Sequence, residues 1–428
     1  MEIKIEVEYK GALIKGFILK EDEDYITIKL SSGYNSTLKK ADIKEISRKS
    51  LEKKVNVSKK VLVNNDDLPK IAILHTGGTI ASKVDYETGA VTSKSTPEEL
   101  LSLYPEITQL ASVHPEMIGN ILSGDLNIAH WNIMLKKIEE IIKDGNFSGI
   151  IISHGTDTLS YTAPALQYAI KNLPIPIILV GSQRSSDRPG ADAYLNLKRS
   201  VEFIVSQSKE DKQYRRVGVG MYTSISDDSV TIFDAINVKK THSSRRDAFK
   251  QINYTSVADI SSSGTKFLRS DLLENKPSSS CEFTYFNDEL KIGIFKAHPS
   301  LRPEEISMLS YYDAVIIEGT GFGNLHVNEV DDITRFGPKN LEALKKLQET
   351  TKVVITSQTG SGETALNVYS YGVKIRDTGV LGNFMNLISE SQYSRLAYCL
   401  SKKDEDFDTL WNSNLEGFEL VSLDIGKK

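Results

Sequence analysis

The chain of 428 residues has only two cysteines, Cys281 and Cys399. They form neither a disulfide framework nor a metal-ligand spacing, so no metal site is expected from them. No apolar run approaches the ~18 residues needed to span a bilayer. The opening Met1-Glu2-Ile3-Lys4-Ile5-Glu6 alternates charged and apolar side chains, unlike a signal peptide. A cytoplasmic protein without membrane contact is the expectation. An excess of charge of either sign is also small. The net charge of -5 argues against a large nucleic-acid-binding surface on this chain alone. There is no internal repeat and no low-complexity tract.

What is present suits a soluble globular protein of more than one domain. Apolar residues make up 39% and charged residues 25%, ordinary values for a packed protein, and the length calls for two or three domains. In residues 1–48, Ile3, Ile5 and Val7 alternate with charged neighbours, as does Tyr25-Ile26-Thr27-Ile28-Lys29-Leu30. Period two, punctuated by Gly11, Gly16 and Ser31–Asn35, predicts a small all-β, barrel-like domain. Residues 1–60 carry 14 Lys and Arg against 10 Asp and Glu. Residues 49–69 read largely as a linker, either a solvated connector or a contact to RNA or an acidic partner.

After Pro69 the pattern changes. Short β-branched runs such as Ile71–Leu74, Gly149–Ile152, Ile175–Val180, Val217–Gly220 and Ala314–Ile317 alternate with helix-like stretches such as Ala129–Lys143 and Ser160–Lys171. Strands apolar on both faces and separated by helices predict an α/β fold with a mostly parallel sheet. The turn-rich Pro277-Ser278-Ser279-Ser280 divides it into lobes of about 70–275 and 290–428.

Two loops carry chemistry-bearing residues. His75-Thr76-Gly77-Gly78-Thr79 follows the first strand of this region. Ligands of open α/β sheets bind beyond the carboxyl ends of strands, and paired glycines let backbone N–H groups approach a ligand. The bland alternative is a glycine turn that serves packing. Ser153-His154-Gly155-Thr156-Asp157-Thr158 also follows a strand. Its carboxylate suits the α-amino group of an amino acid; the bland alternative is an Asp cap on the next helix. A threonine hydroxyl attacks only when a base takes its proton. Lys240 and Tyr86 are candidates for that help, though spacing singles out neither.

Thr76-Gly77-Gly78-Thr79-Ile80-Ala81 and His154-Gly155-Thr156-Asp157-Thr158 together resemble the two signature motifs of the asparaginase/glutaminase family, over about residues 70–400. The likeness extends to Gly181-Ser182-Gln183-Arg184, to Ala191-Asp192-Ala193 and to Asn237-Val238-Lys239-Lys240-Thr241. It implies a two-lobed α/β module and a role for each matching residue. Thr79 is the implied nucleophile and Tyr86 the lid tyrosine that helps activate it. Thr156, Asp157 and Lys240 form a second catalytic group, with Asp157 also holding substrate. Ser123 is an implied substrate-carboxylate contact. Asn324, in Gly319-Thr320-Gly321-Phe322-Gly323-Asn324, is implied to serve a neighbouring protomer's site. The family's further acid from that neighbour finds no clear match.

Simple asparaginases lack a leading β-domain. That domain, with Thr356-Ser357-Gln358-Thr359-Gly360 running on to Asn367-Val368-Tyr369, resembles the archaeal D-subunit family of glutamyl-tRNA(Gln) amidotransferases. That resemblance implies a glutaminase that passes ammonia to a partner, the E subunit of the amidotransferase. The partner would bind the tRNA(Gln) and use ATP and magnesium, with no cofactor on this chain and a homodimer inside a heterotetramer. Two alternatives stay open: a free-standing cytosolic L-asparaginase, and a sensor on an inactive scaffold. Pocket depth, which no motif fixes, decides glutamine against asparagine.

Overall fold

The computed structural model describes residues 2–30, 35–51, 65, 67–77, 82–84, 91–93, 105–184, 192–222, 224 and 229–416. The first five strands are β1 (Glu2–Tyr9), β2 (Ala12–Glu21), β3 (Tyr25–Leu30), β4 (Asn35–Lys39) and β5 (Ile43–Leu51). They form one antiparallel sheet in the order β4-β3-β2-β1-β5. Period two puts Ile5, Val7, Ile26, Ile28 and Leu38 into a small core of their own. The predicted all-β domain is there, and its last strand runs three residues past the expected boundary at 48, to Leu51.

The main sheet has eight strands. They are β6 (Lys70–His75), β7 (Ser112–Met117), β8 (Gly149–Ser153), β9 (Ile177–Val180), β10 (Val217–Tyr222) and β11 (Val230–Asp234), then, after a hairpin, β14 (Ala258–Ser261) and β15 (Gly264–Phe267). The hairpin is β12 (Val238–Lys240) with β13 (Phe249–Gln251). The sheet order is β15-β14-β11-β10-β9-β8-β6-β7. Strands β6 to β10 run parallel, whereas β11, β14 and β15 each pair antiparallel with the strand before them in the sheet.

Both faces of the sheet are covered, which is why its strands read as unbroken apolar runs. Ala72, Leu74, Ile150, Ile152 and Leu179 face one core, with helices α1 (Ile128–Asp144) and α2 (Leu159–Ala169). Ile71, Ile73, Ile151, Ile178 and Val180 face the other, with helix α3 (Ala193–Gln207). Helix α1 shows how sequence selects the helix and its buried face. Asn127 caps its start, and Ile128, Trp131, Leu135, Ile138 and Ile141 recur at helical spacing on the buried side.

The C-terminal lobe is a parallel sheet of β16 (Ile292–Lys296), β17 (Ala314–Gly319) and β18 (Lys352–Ser357). Around it lie α4 (Pro303–Met308), α5 (Gly337–Leu347) and α6 (Ser370–Arg376). Helix α7 (Ser389–Ser401) then packs against α2 of the first lobe, followed by α8 (Phe407–Trp411). Charge anchors the segment that follows. Arg395 pairs with Glu416, the two side chains 1% and 0% exposed. The Tyr168 hydroxyl donates to Glu416 at 2.9 Å, and Arg216 donates to the Glu416 carbonyl at 2.7 Å. Trp411 is packed in the core.

Candidate active site

Register brings the loops together. His75 is level with Ser153, Ser153 with Val180, and His75 with Met117. Four neighbouring parallel strands therefore end at one edge, and the loops after them share one rim, where such sheets bind ligands. Those loops hold Thr76-Gly77, Ile118–Asp125, His154–Thr158 and Gly181–Arg184. Thr79 and Tyr86 lie outside the described residues.

Thr76 has a structural part. Its hydroxyl donates to the Ser153 carbonyl at 2.9 Å, and its carbonyl accepts from the Ile121 N–H at 2.9 Å. His75 Nδ1 is hydrogen-bonded to the Ser153 hydroxyl. The first loop is thereby tied to the second.

The second loop is held from three sides. His154 is fully buried, and desolvation pushes its pKa down to about 4. The ring is neutral near pH 7 and is bonded through Nδ1 to the Gly155 carbonyl at 2.6 Å. Gly155 backs so closely onto Ser123 that a Cβ there would lie 2.5 Å from the Ser123 hydroxyl. Gly181, on the next loop, leaves room for Thr156, whose methyl a Cβ would meet at 2.8 Å. Ser123 is itself buried. Its hydroxyl accepts from the Asp157 N–H at 3.2 Å, and its carbonyl accepts from the Thr158 hydroxyl at 2.8 Å.

Lys240 completes the cluster from 84 positions away in sequence. Its ammonium donates to Thr156 Oγ1 at 2.9 Å and to Asp157 Oδ1 at 2.7 Å. Asp157 makes no cap for α2; one oxygen of its carboxylate accepts from Lys240 and its side chain is 72% exposed, against 15% for Lys240. The sequence-predicted group Thr156, Asp157 and Lys240 is thus assembled in space, with Ser123 directly behind it. An ammonium donating to a hydroxyl occupies one of its lone pairs and favours loss of its proton. The arrangement pairs a polarised hydroxyl with a carboxylate open to solvent, able to serve an amide and an amino group together.

Asn324 lies elsewhere, on the turn after β17 in the C-terminal lobe. Its backbone closes that turn by bonding with Thr320, and its side chain is buried. Nothing in the described residues joins it to Thr156 or Lys240. The motif residues Ser182 and Asp192 prove to be a brace: Asp192 accepts from the Ser182 hydroxyl at 2.8 Å and from the Gln183 and Arg184 N–H groups.

Sequence reasoning gave no role to the residues that aim Lys240. The Ser160 hydroxyl accepts from the Lys240 N–H at 3.2 Å. Asn237, with φ of 62°, leads into the strand. It donates to the Asn386 carbonyl at 2.7 Å and accepts from the Ile388 N–H at 2.9 Å, so the C-terminal lobe pins the hairpin. A polar residue in a left-handed turn is the only local signal. A cleft of about 730 Å³ lies by Arg215, Arg216 and Leu415, away from this rim.

Residues 70–272 match the family model described as asparaginase, N-terminal, and residues 291–410 match the glutaminase/asparaginase C-terminal domain. The chain is similar to the D subunit of glutamyl-tRNA(Gln) amidotransferase from Pyrococcus furiosus: 36% identical over 414 residues, 94% of this chain and 89% of that one. The Thermoplasma volcanium D subunit is 34% identical over 417 residues, covering 96% of each chain. Among solved structures, the thermostable L-asparaginase from Thermococcus kodakarensis has a TM-score of 0.66 at 24% identity, covering 81% of this chain and 98% of its own. L-asparaginase I from Vibrio cholerae has a TM-score of 0.67 at 21% identity, covering 83% and 99%. Those two show the fold alone. They use almost their whole length to cover about four-fifths of this chain, whereas the D-subunit relatives match it nearly end to end.

Proposed function

The chain belongs to the D-subunit family of glutamyl-tRNA(Gln) amidotransferases, with asparaginase-type domains, and from that premise we propose that it is the glutaminase of a tRNA-dependent amidotransferase. The observation that carries the chemistry is the contact of Lys240 with both Thr156 and Asp157 at the rim of the parallel strands. The near end-to-end match to the D-subunit relatives favours this reading over a free-standing asparaginase.

The reaction runs by two acyl transfers. The Thr79 hydroxyl, with Tyr86 as its helper, attacks the side-chain amide carbon of glutamine. The C–N bond breaks, and the nitrogen leaves as ammonia after taking up a proton. Water then attacks the threonyl ester, its C–O bond breaks, glutamate leaves and Thr79 regains its proton. Thr156, polarised by the Lys240 ammonium, exchanges protons with the reacting groups and helps place the water. The exposed side of the Asp157 carboxylate holds the substrate α-ammonium, and Ser123 supports the loop beside the substrate carboxylate. Asn324 serves the site of a neighbouring copy. Backbone N–H groups of the first loop stabilise the oxyanion.

Ammonia goes to a partner, the E subunit, which holds the Glu-tRNA(Gln) and uses ATP and magnesium to activate its glutamate. This chain takes no cofactor of its own. It works in the cytoplasm as a homodimer within a heterotetramer. No helix among the described residues is long and apolar enough to cross a membrane. The test is glutamine hydrolysis by the purified chain, alone and with the E subunit and Glu-tRNA(Gln). A large stimulation by the complete complex is expected, with essentially all turnover lost in Thr79→Ala. Fast asparagine hydrolysis without a partner, indifferent to tRNA, sinks the proposal.

A further inference from the structure

Two loops at the carboxyl edge of the C-terminal sheet lie against each other. One is the turn 320–324 after β17, the other the stretch 361–365 beyond β18, and those strands pair in parallel as far as Gly319 and Ser357. The Ala365 N–H donates to the Phe322 carbonyl at 3.0 Å. The Thr364 methyl is so near Gly323 that a Cβ there would meet it at 2.7 Å. From the other side, the Thr364 N–H donates to the Met385 carbonyl, and the Thr364 carbonyl accepts from the Phe384 N–H.

These loops bury oxygens to which nothing is bonded. Both carboxylate oxygens of Glu363, the Thr364 hydroxyl and the Asn324 side-chain carbonyl are sealed from solvent without a hydrogen-bond partner. The three residues are at most 6% exposed. Glu363 makes no ion pair with any described residue. All four atoms are acceptors, and only the hydroxyl can also donate. Unmatched buried polar groups are rare in folded proteins, and an unmatched charge is the costliest kind. A buried water can donate to two of these oxygens at most, and it brings no charge.

We propose that a monovalent metal cation, potassium or sodium, binds between the two loops and is held by Glu363, Thr364 and Asn324. Hard cations take oxygen ligands, and a single carboxylate balances a single positive charge. No group of three or more His, Cys, Asp or Glu able to hold a metal occurs among the described residues, which speaks against a divalent ion here. The cation is structural and takes no part in bond breaking. It fixes the turn of Asn324, the residue that the proposed function gives to a neighbouring copy's site.

Scanning calorimetry of the full-length chain tests this, with tetramethylammonium as the reference cation at constant ionic strength. Replacing it stepwise by potassium or by sodium should raise the melting midpoint by a few degrees and then saturate. The ion that saturates at the lower concentration is the one the site prefers. Glu363→Gln should lose the rise, and Thr364→Val, a smaller change, should weaken it. Midpoints indifferent to all three cations overturn the proposal and leave buried water as the partner of these oxygens. A saturable rise that survives both substitutions overturns it as well, because the ion then sits elsewhere. A rise with magnesium or calcium alone overturns the monovalent assignment. None of these outcomes involves glutamine, so the glutaminase reading stands or falls by its own assay.

Discussion

Two ion pairs in this molecule, Arg395–Glu416 and Lys240–Asp157, differ in nearly everything except that each fastens separate segments of the chain. Arg395–Glu416 is sealed, with each side chain at most 1% exposed and with Tyr168 added as a donor. Lys240–Asp157 is open, with the carboxylate 72% exposed and a hydroxyl sharing the ammonium. A sealed pair has spent its charges on holding a fold, and its desolvation cost is recovered only while both partners remain. An open pair keeps unused lone pairs facing solvent, which is what a substrate needs. The contrast teaches that burial, rather than pairing, separates an anchor from a site.

Removing one cation from each pair gives the sharpest break. Lys240→Met should lower glutamine turnover on the order of 10³-fold, about 4 kcal/mol at the barrier, and leave the urea midpoint nearly unchanged. Turnover within a few-fold of the parent would show that Lys240 is no part of the chemistry. Arg395→Met should do the reverse. It strands Glu416 in the core and costs about 3–5 kcal/mol of stability, read as a lower urea midpoint, while the Thr156 loop stays in place. If Arg395→Met with Glu416→Leu is no more stable than Arg395→Met alone, the stranded charge is not the cause.

A smaller effect tests the neutral histidine behind the site. The unfolded chain protonates His154 near its ordinary value of 6.5, whereas burial delays this to about 4 in the folded protein. The unfolded state then binds more protons in that window. Stability is whole above about pH 6.5 and falls as the pH drops toward 4, by at most about 1.4 kcal/mol per pH unit from this group. Denaturant titrations at several pH values check it. The fall should be shallower in His154→Asn, and an equal slope in both proteins refutes the assignment.

Much of the fold is legible in the sequence because its strands are buried on both faces. Short, β-branched runs such as Gly149–Ile152 and Val217–Gly220 suit a strand buried on both faces, and they form β8 and β10. Strands β14 and β15 at the open end of the sheet are not legible in this way. Their burial is partial and alternating, so a few residues carry little signal. Helix α7 escapes for another reason: its buried face includes Ser391, Gln392, Ser394 and Arg395, which read as surface until α2 and Glu416 supply partners. The site divides in the same way. The two loops announce Thr156 and Asp157 through residues packed close in sequence, while Lys240 needs a family likeness.

The sequence by itself determined the alternation of strands and helices, the all-β opening domain and the hydroxyl-rich loops. Those are local properties, set by side-chain periodicity and turn chemistry within a few residues. Only the tertiary structure decided that Asp157 bonds Lys240 instead of capping its helix, that Ser123 lies behind Gly155, and that the C-terminal lobe pins the hairpin at Asn237. The Ser123 approach depends on parallel register bringing separate loops to one edge, the other two on the hairpin and the C-terminal lobe meeting those loops, and contacts a few ångströms long between residues far apart in sequence leave no trace in local pattern.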